Sequence, residues 1–245
     1  MSTLVPVGVA DAHVHRLYGE YAGLPVGVVT QCVQHAAALQ QLIWNACPEG
    51  TWAGKACAFH EGHEEAVFGL MQRTVSRAQR RVEHDQSGLT GQLAEAGDDV
   101  LDFGGGLGFS ASLLRDAGKN VTYVDVDGPV TAFARWYFER CGQDDVEVGT
   151  TPSATAELPK GRQWDLVLAE CVLECVPDPV ATVERLARAV RGGGTLFVVL
   201  DGGVEAAGAT MRAVDVAALL AGSPTLRGMR HVLSGEDGRH AFRAD

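Results

Sequence analysis

The sequence predicts an α/β protein: a doubly wound, mostly parallel sheet, preceded by an N-terminal helical extension and followed by a short C-terminal β-hairpin. Three observations carry that prediction. The stretch Val100-Leu101-Asp102-Phe103-Gly104-Gly105-Gly106-Leu107-Gly108 reads as the end of a buried strand, a loop nearly free of side chains and the start of a helix. Beyond it, continuous apolar runs alternate with helical patterns to about residue 200, and such runs mark parallel strands covered on both faces. Before it, apolar residues recur at threes and fours, the period of helices that bury one face.

In chain order, residues 1–28 are broken by Pro6, Gly8, Gly19, Gly23, Pro25 and Gly27 and carry two tyrosines, Tyr18 and Tyr21. A helix is expected over 28–47 on Val29, Cys32, Val33, Ala36, Leu39 and Ile43, and a second over about 62–86 on Ala66, Val67, Leu70, Met71 and Val75. Arg73, Arg77, Arg80 and Arg81 form the solvated face of that second helix. The chain divides near residue 90, with the extension or lid over 1–90 and the α/β unit over 91–245. Within the unit, a helix is expected over 108–117, strands over 120–125 and 146–148, and between them a helix that Pro129 opens and Asp127 caps. A strand over 164–169, a helix from Pro179 to Val190 and a strand over 195–200 follow. One more helix over 205–221 and a hairpin around Gly235-Glu236-Asp237-Gly238 complete the chain.

Composition narrows the function. A net charge of −11 over 245 residues opposes binding to a nucleic-acid polyanion, and no apolar run is long enough to span a bilayer. Six cysteines without a Cys-x-x-Cys pair, behind an N-terminus that lacks a signal-peptide pattern, are expected as reduced thiols of a cytoplasmic protein. No metal is expected. His13-x-His15 has no further ligands at a recognisable spacing, and in His60-Glu61-Gly62-His63-Glu64 the second histidine comes one residue too early for a zinc-protease helix.

Glycines at every second position behind an aspartate, Asp-x-Gly-x-Gly-x-Gly, differ from the Gly-x-Gly-x-x-Gly of NAD-binding folds. A second motif lies in Trp164-Asp165-Leu166-Val167-Leu168-Ala169-Glu170-Cys171-Val172-Leu173-Glu174-Cys175-Val176-Pro177-Asp178-Pro179. Together, over about residues 98–200, they resemble the class I methyltransferases, which bind S-adenosylmethionine (SAM). That resemblance implies a SAM cradle of Asp102, Phe103, Gly104, Gly105, Gly106 and Gly108, with Asp102, Gly104 and Gly106 along the methionyl part and ribose. It also implies that Asp125 holds the ribose hydroxyls, that Val126 packs on adenine, and that Glu170 and Cys171 border the methionyl group and the substrate.

The sequence departs from the family pattern in two places. The acid that usually holds the adenine amino group is missing after the third strand, which leaves Ser153, Ala154 or a backbone carbonyl. The frequent histidine after the fourth strand is Cys175. Glu170, Glu174 and Cys175 are therefore the catalytic candidates, and Tyr18, Tyr21, Trp44 and Trp52 are candidates for a lid that cradles the cation. The expected activity is SAM-dependent methylation of a small-molecule acceptor, by a chain that could work as a homodimer. The alternatives are attack on SAM's aminocarboxypropyl carbon with release of methylthioadenosine, a non-catalytic SAM binder and, more distantly, an NAD-dependent oxidoreductase.

Overall fold

A computed structural model describes residues 7–47, 51–72, 97–152, 155–200, 214–235 and 238–245. Seven strands form one sheet: β1 (Asp99–Phe103), β2 (Asn120–Val126), β3 (Glu147–Thr151), β4 (Trp164–Glu170), β5 (Val190–Val199), β6 (Arg230–Ser234) and β7 (Arg239–Arg243). Their order is β3-β2-β1-β4-β5-β7-β6. The first five are parallel, and β7 and β6 add an antiparallel hairpin at one edge.

Period-two alternation sends successive β1 side chains to opposite faces of the sheet. Leu101 and Phe103 join one core with Val183 and Leu186 of α7 (Pro179–Arg188), Leu219 of α8 (Val216–Gly222) and Leu226 of α9 (Pro224–Gly228). Val100 lies in the other, with Ala111 and Leu114 of α5 (Phe109–Asp116) and Ala134 and Phe138 of α6 (Pro129–Arg140). Helices thus cover both faces, and the doubly wound architecture expected from the apolar runs is the one observed.

The extension contributes α1 (Val7–Ala22), α2 (Val26–Gln34), α3 (Ala36–Ala46), α4 (Trp52–Gly62) and a helical segment over 65–72. Where one helix was expected over 28–47 there are two, broken at His35, whose φ of −103° and ψ of 10° leave the helical range. The expected helix over 62–86 is interrupted at His63, which is extended, and its continuation over 73–86, with Arg73, Arg77, Arg80 and Arg81, lies outside the described residues. Thr51 caps α4 by accepting the Gly54 N–H. Asp127 does not cap α6; Gly128 holds the N-cap position, and no side chain bonds there. The apolar faces of the extension (Val14, Tyr18, Val29, Val33, Phe59, Val67 and Met71) share one core with Leu107, Val130 and Phe133 of the sheet unit.

β5 begins at Val190, five residues before the apolar run: Val190 pairs with Trp164 and Thr195 with Leu166, and the exposed Gly192 and Gly193 and the buried Gly194 are carried into the strand between them. Near the C-terminus the helix expected over 205–221 begins at Val216 within the described residues, because Asp215 is extended and caps it by accepting the Ala217 N–H; 201–213 lie outside the described residues. A separate turn of helix, α9, follows, capped by Ser223.

Glu184 of α7 ties α7 to the start of α9. It accepts from Ser223 Oγ (2.6 Å), Thr225 Oγ1 (2.6 Å) and Thr225 N (3.0 Å), and Arg188 lies 2.7 Å away. Burial alone pushes its carboxyl up, but these hydrogen bonds and Arg188 outweigh it and pull it down to about 2. A depressed carboxylate stabilises the fold above its unfolded value and loses that contribution as pH falls from about 4.5 towards 2. Glu184→Gln is therefore expected to be less stable by about 2 kcal/mol at pH 7, with the difference from wild type closing below pH 4.5. Thermal midpoints measured across that range check it.

Candidate functional site

The five parallel strands end at one edge of the sheet. Register places Asp102 beside Tyr123 of β2 and Leu168 of β4, and Asp125 beside Thr150 of β3. Open α/β sheets bind ligands at this carboxyl edge. Asp102, Asp125 and Glu170 all belong to it.

The glycine loop is shaped chiefly by its protein neighbours. A Cβ at Gly104 would lie 2.3 Å from Val172 in the turn after β4, so the two signature motifs touch. A Cβ at Gly105 would lie 2.6 Å from the Tyr123 ring, and one at Gly108 2.7 Å from Phe138. Gly106 differs: Leu70 at 3.8 Å is its nearest neighbour, and its demand for glycine is conformational, with φ at +56°.

Both polar groups of Gly106 are held from β2. Its N–H donates to Asp125 Oδ2 at 2.7 Å, and its carbonyl accepts the Tyr123 hydroxyl at 2.7 Å. Asp125 Oδ1 accepts the Val126 N–H at 2.7 Å. Burial raises the Asp125 carboxyl above its ordinary value, against the pull of these amides and of the Tyr123 hydroxyl. A carboxylate offers about four acceptor positions; the two amides take two, one on each oxygen, and the Asp125 side chain is half-buried. A second acceptor position on each oxygen matches a vicinal diol. This set of acceptors thus fits a ribose.

Across the loop, Glu170 ends β4 and its Oε2 accepts from Ser110 Oγ, in the first turn of α5, at 3.0 Å. Cys171 follows with φ at +51°, a strained value for a side-chain-bearing residue, held by its N–H donating to the Val199 carbonyl at 2.7 Å. The Cys175 thiol points at the Cys171 carbonyl, 4.0 Å away. Glu174 is only 1% exposed, inside the same turn. Ser153 and Ala154 lie outside the described residues.

The extension reaches this edge at two points. Leu70 stands over Gly106, and the Glu61 carbonyl lies 2.7 Å from where a Gly128 Cβ would be, so the end of α4 rests on the β2–α6 turn. Tyr18 is buried, with its ring 5.6 Å from Phe133, 5.4 Å from Phe68 and 5.7 Å from Tyr21. Burial, then Glu64 nearby, pushes its phenol up to about 12. Tyr21 packs on Phe133 and Trp136 at 5.4 and 5.5 Å. Trp44 packs near Trp52 and Phe59. Of the rings expected as lid candidates, Tyr18 and Tyr21 seat the extension on α6, and Trp44 and Trp52 pack against each other within the extension. His13 and His15 lie on a helix instead of an extended segment, and His15 Nδ1 is 3.1 Å from Thr30 Oγ1. Among the described residues no group of three or more His, Cys, Asp or Glu side chains is arranged to hold a metal.

Tyr123 and Ser110 are the two positions that the sequence reading passed over. A signal for Tyr123 existed: a tyrosine inside an otherwise apolar buried strand must find a partner for its hydroxyl.

Residues 101–196 match the family model described as a methyltransferase domain. Over 103 residues the chain is 34% identical to the ubiquinone biosynthesis O-methyltransferase of Aromatoleum aromaticum, covering 42% of this chain and 43% of that protein. Over 111 residues it is 32% identical to the enzyme of the same name from Xanthomonas campestris pv. campestris, covering 45% and 46%. The chain thus spans less than half the length of these curated relatives. An O-methyltransferase family protein from Burkholderia thailandensis shares the fold with a TM-score of 0.57 at 16% identity, over 86% of this chain and 70% of that one. So does the SAM-bound magnesium protoporphyrin IX methyltransferase of Synechocystis PCC 6803, with a TM-score of 0.54 at 16% identity, over 72% and 84%. Residues 101–196, which span the glycine loop and the β4 turn, are thus similar to a methyltransferase domain, and the chain shares the fold of these structural neighbours.

Proposed function

We propose that the protein transfers a methyl group from SAM to a small-molecule acceptor. The observation that carries this is the Asp125 carboxylate, fixed by the Gly106 and Val126 amides with an acceptor position left on each oxygen, inside the segment that matches the methyltransferase model. Bound SAM supplies an electrophilic methyl on a sulfonium sulfur, displaced in line by the acceptor.

The chain's own part is positioning and charge. Asp125 takes the ribose diol and Val126 the adenine face, with Ser153 and Ala154 as further neighbours of the adenine. Asp102 and the loop from Phe103 to Gly108 line the methionyl side, bordered by Glu170 and Cys171. Of the catalytic candidates, Glu170 is the one we assign to the acceptor's proton: it is half-buried and oriented by Ser110, whereas Glu174 is buried within the turn. Cys175 is left to the turn, where its thiol meets the Cys171 carbonyl.

The helices before residue 73 form a cover over this edge, with Leu70 and Glu61 as its contacts, and the division between cover and catalytic unit falls near residue 90. The curated relatives are named O-methyltransferases, which favours an acceptor hydroxyl. The free cysteines favour a reducing compartment such as the cytoplasm. Among the described residues no helix is long and apolar enough to cross a membrane.

Incubating the protein with SAM and a pool of hydroxylated small molecules, and following adenosyl products by mass spectrometry, tests the reading. S-adenosylhomocysteine formed only with acceptor, together with an acceptor heavier by one methyl, is the expected result. Methylthioadenosine above a denatured control would replace methyl transfer with aminocarboxypropyl chemistry. SAM bound but intact with every acceptor would make the protein a non-catalytic binder.

A further inference from the structure

We propose that Tyr123 is the positioning residue of the glycine loop: its hydroxyl fixes the Gly106 peptide, and its ring supports Gly105, in the conformation that receives the adenosyl group. The inference rests on reading this edge as a SAM site. It adds a residue that makes no contact with the ligand yet sets how well the ligand binds.

Tyr123 is fully buried in β2, in register with Asp102 of β1. Its hydroxyl donates to the Gly106 carbonyl at 2.7 Å, and its ring lies where a Gly105 Cβ would come within 2.6 Å. Asp125, two residues along the same strand, accepts the Gly106 N–H. One strand therefore clamps both polar groups of Gly106, which at φ +56° is free to adopt many other conformations and has no side chain of its own to hold it. The clamp also points the Gly106 carbonyl into the protein and away from the site.

The hydroxyl lies among a defined set of groups. Asp102 faces it from β1, Asp125 from β2, and Thr131 and Arg135 from α6. Thr131 is itself tied down, its Oγ1 donating to the Val126 carbonyl at 2.6 Å. The Tyr123 hydroxyl is one of the groups that favour ionised Asp125. Removing it therefore acts twice, loosening Gly106 and making the Asp125 carboxylate harder to keep charged.

Tyr123→Phe keeps the ring and deletes only the hydroxyl. Three measurements on the full chain follow, with Phe197→Leu as a control in the same core, remote from the loop. In cofactor-free protein, amide exchange of the peptide spanning 104–109 is expected to quicken roughly tenfold in Tyr123→Phe, with β4 and β5 unchanged. By calorimetry, SAM and S-adenosylhomocysteine are both expected to bind roughly tenfold more weakly, since the two share every group but the methyl and the loop meets those shared groups. The loss of SAM binding on acidification is expected to move to higher pH, because Asp125 loses the neighbouring hydroxyl dipole that favours its charged form. Phe197→Leu is expected to lower the thermal midpoint and change none of the three.

Unchanged loop exchange together with wild-type affinity and acid midpoint in Tyr123→Phe would overturn the proposal. So would the same changes in Phe197→Leu, which would reduce Tyr123 to ordinary packing. Wild-type protein that binds no SAM would overturn the reading of the site instead, while the exchange experiment on cofactor-free protein still decides whether Tyr123 holds the loop.

Discussion

Asp125→Ala is expected to weaken SAM binding by roughly 100-fold or more, the largest effect of any single substitution at the site. Two contributions add. On the proposed reading the variant loses a charged acceptor for both ribose hydroxyls, and hydrogen bonds to charged groups contribute about 1.5–3 kcal/mol each. It also removes the acceptor of the Gly106 and Val126 amides at 2.7 Å, so the loop that should meet the ligand loses its anchor. Asp125→Asn is expected to fall between, keeping one oxygen acceptor but not the charge. Because burial raises the Asp125 carboxyl, wild-type affinity for SAM is expected to decline on acidification from a higher pH than an ordinary aspartate would give. Titration calorimetry from neutral to mildly acid pH measures both effects. Affinity of Asp125→Ala within threefold of wild type would remove Asp125 from the ribose site.

Phe133→Ala is expected to destabilise the protein by about 3–5 kcal/mol, the largest stability effect among these predictions. Phe133 is fully buried in α6, and its ring lies between 5.4 and 6.5 Å from Tyr18, Tyr21, Phe109, Trp136 and Tyr137. It is the point where α1 of the extension, α5 behind the glycine loop and α6 of the sheet unit meet. Truncation opens a cavity among side chains too large to collapse into it. A drop in thermal midpoint of roughly 10 °C is expected for a chain of this size. Limited proteolysis is expected to cut the extension well before the sheet. Equal rates of cleavage in both parts would mean that the ring supports the sheet unit itself and does not chiefly seat the extension.

Much of this was legible without coordinates. Parallel strands buried on both faces must be apolar throughout, so β1, β2 and β4 announce themselves as runs, and the alternation with helices sets the architecture. Glycines behind an aspartate mark the loop because few other residues tolerate such backbone. Helix boundaries in the extension were less legible. The 28–47 pattern is continuous in period, and the break at His35 is marked there by no proline or glycine that a local reading could use. The start of β5 was no more legible, for there three glycines enter the strand across a register shift between Val190, paired with Trp164, and Thr195, paired with Leu166.

The sequence by itself determined the fold class, the strand that carries the loop, and the identity of the acids at its carboxyl edge, because these depend on local period and residue chemistry. Only the tertiary structure decided what each residue touches. It gave three of the loop glycines to Val172, Tyr123 and Phe138, tied Glu170 to Ser110, brought Leu70 over Gly106, and took Tyr18 and Tyr21 into an aromatic seat on α6. These are contacts between segments up to about a hundred residues apart. They follow from the packing of whole elements, in which a ring's faces go to whichever neighbours the fold delivers.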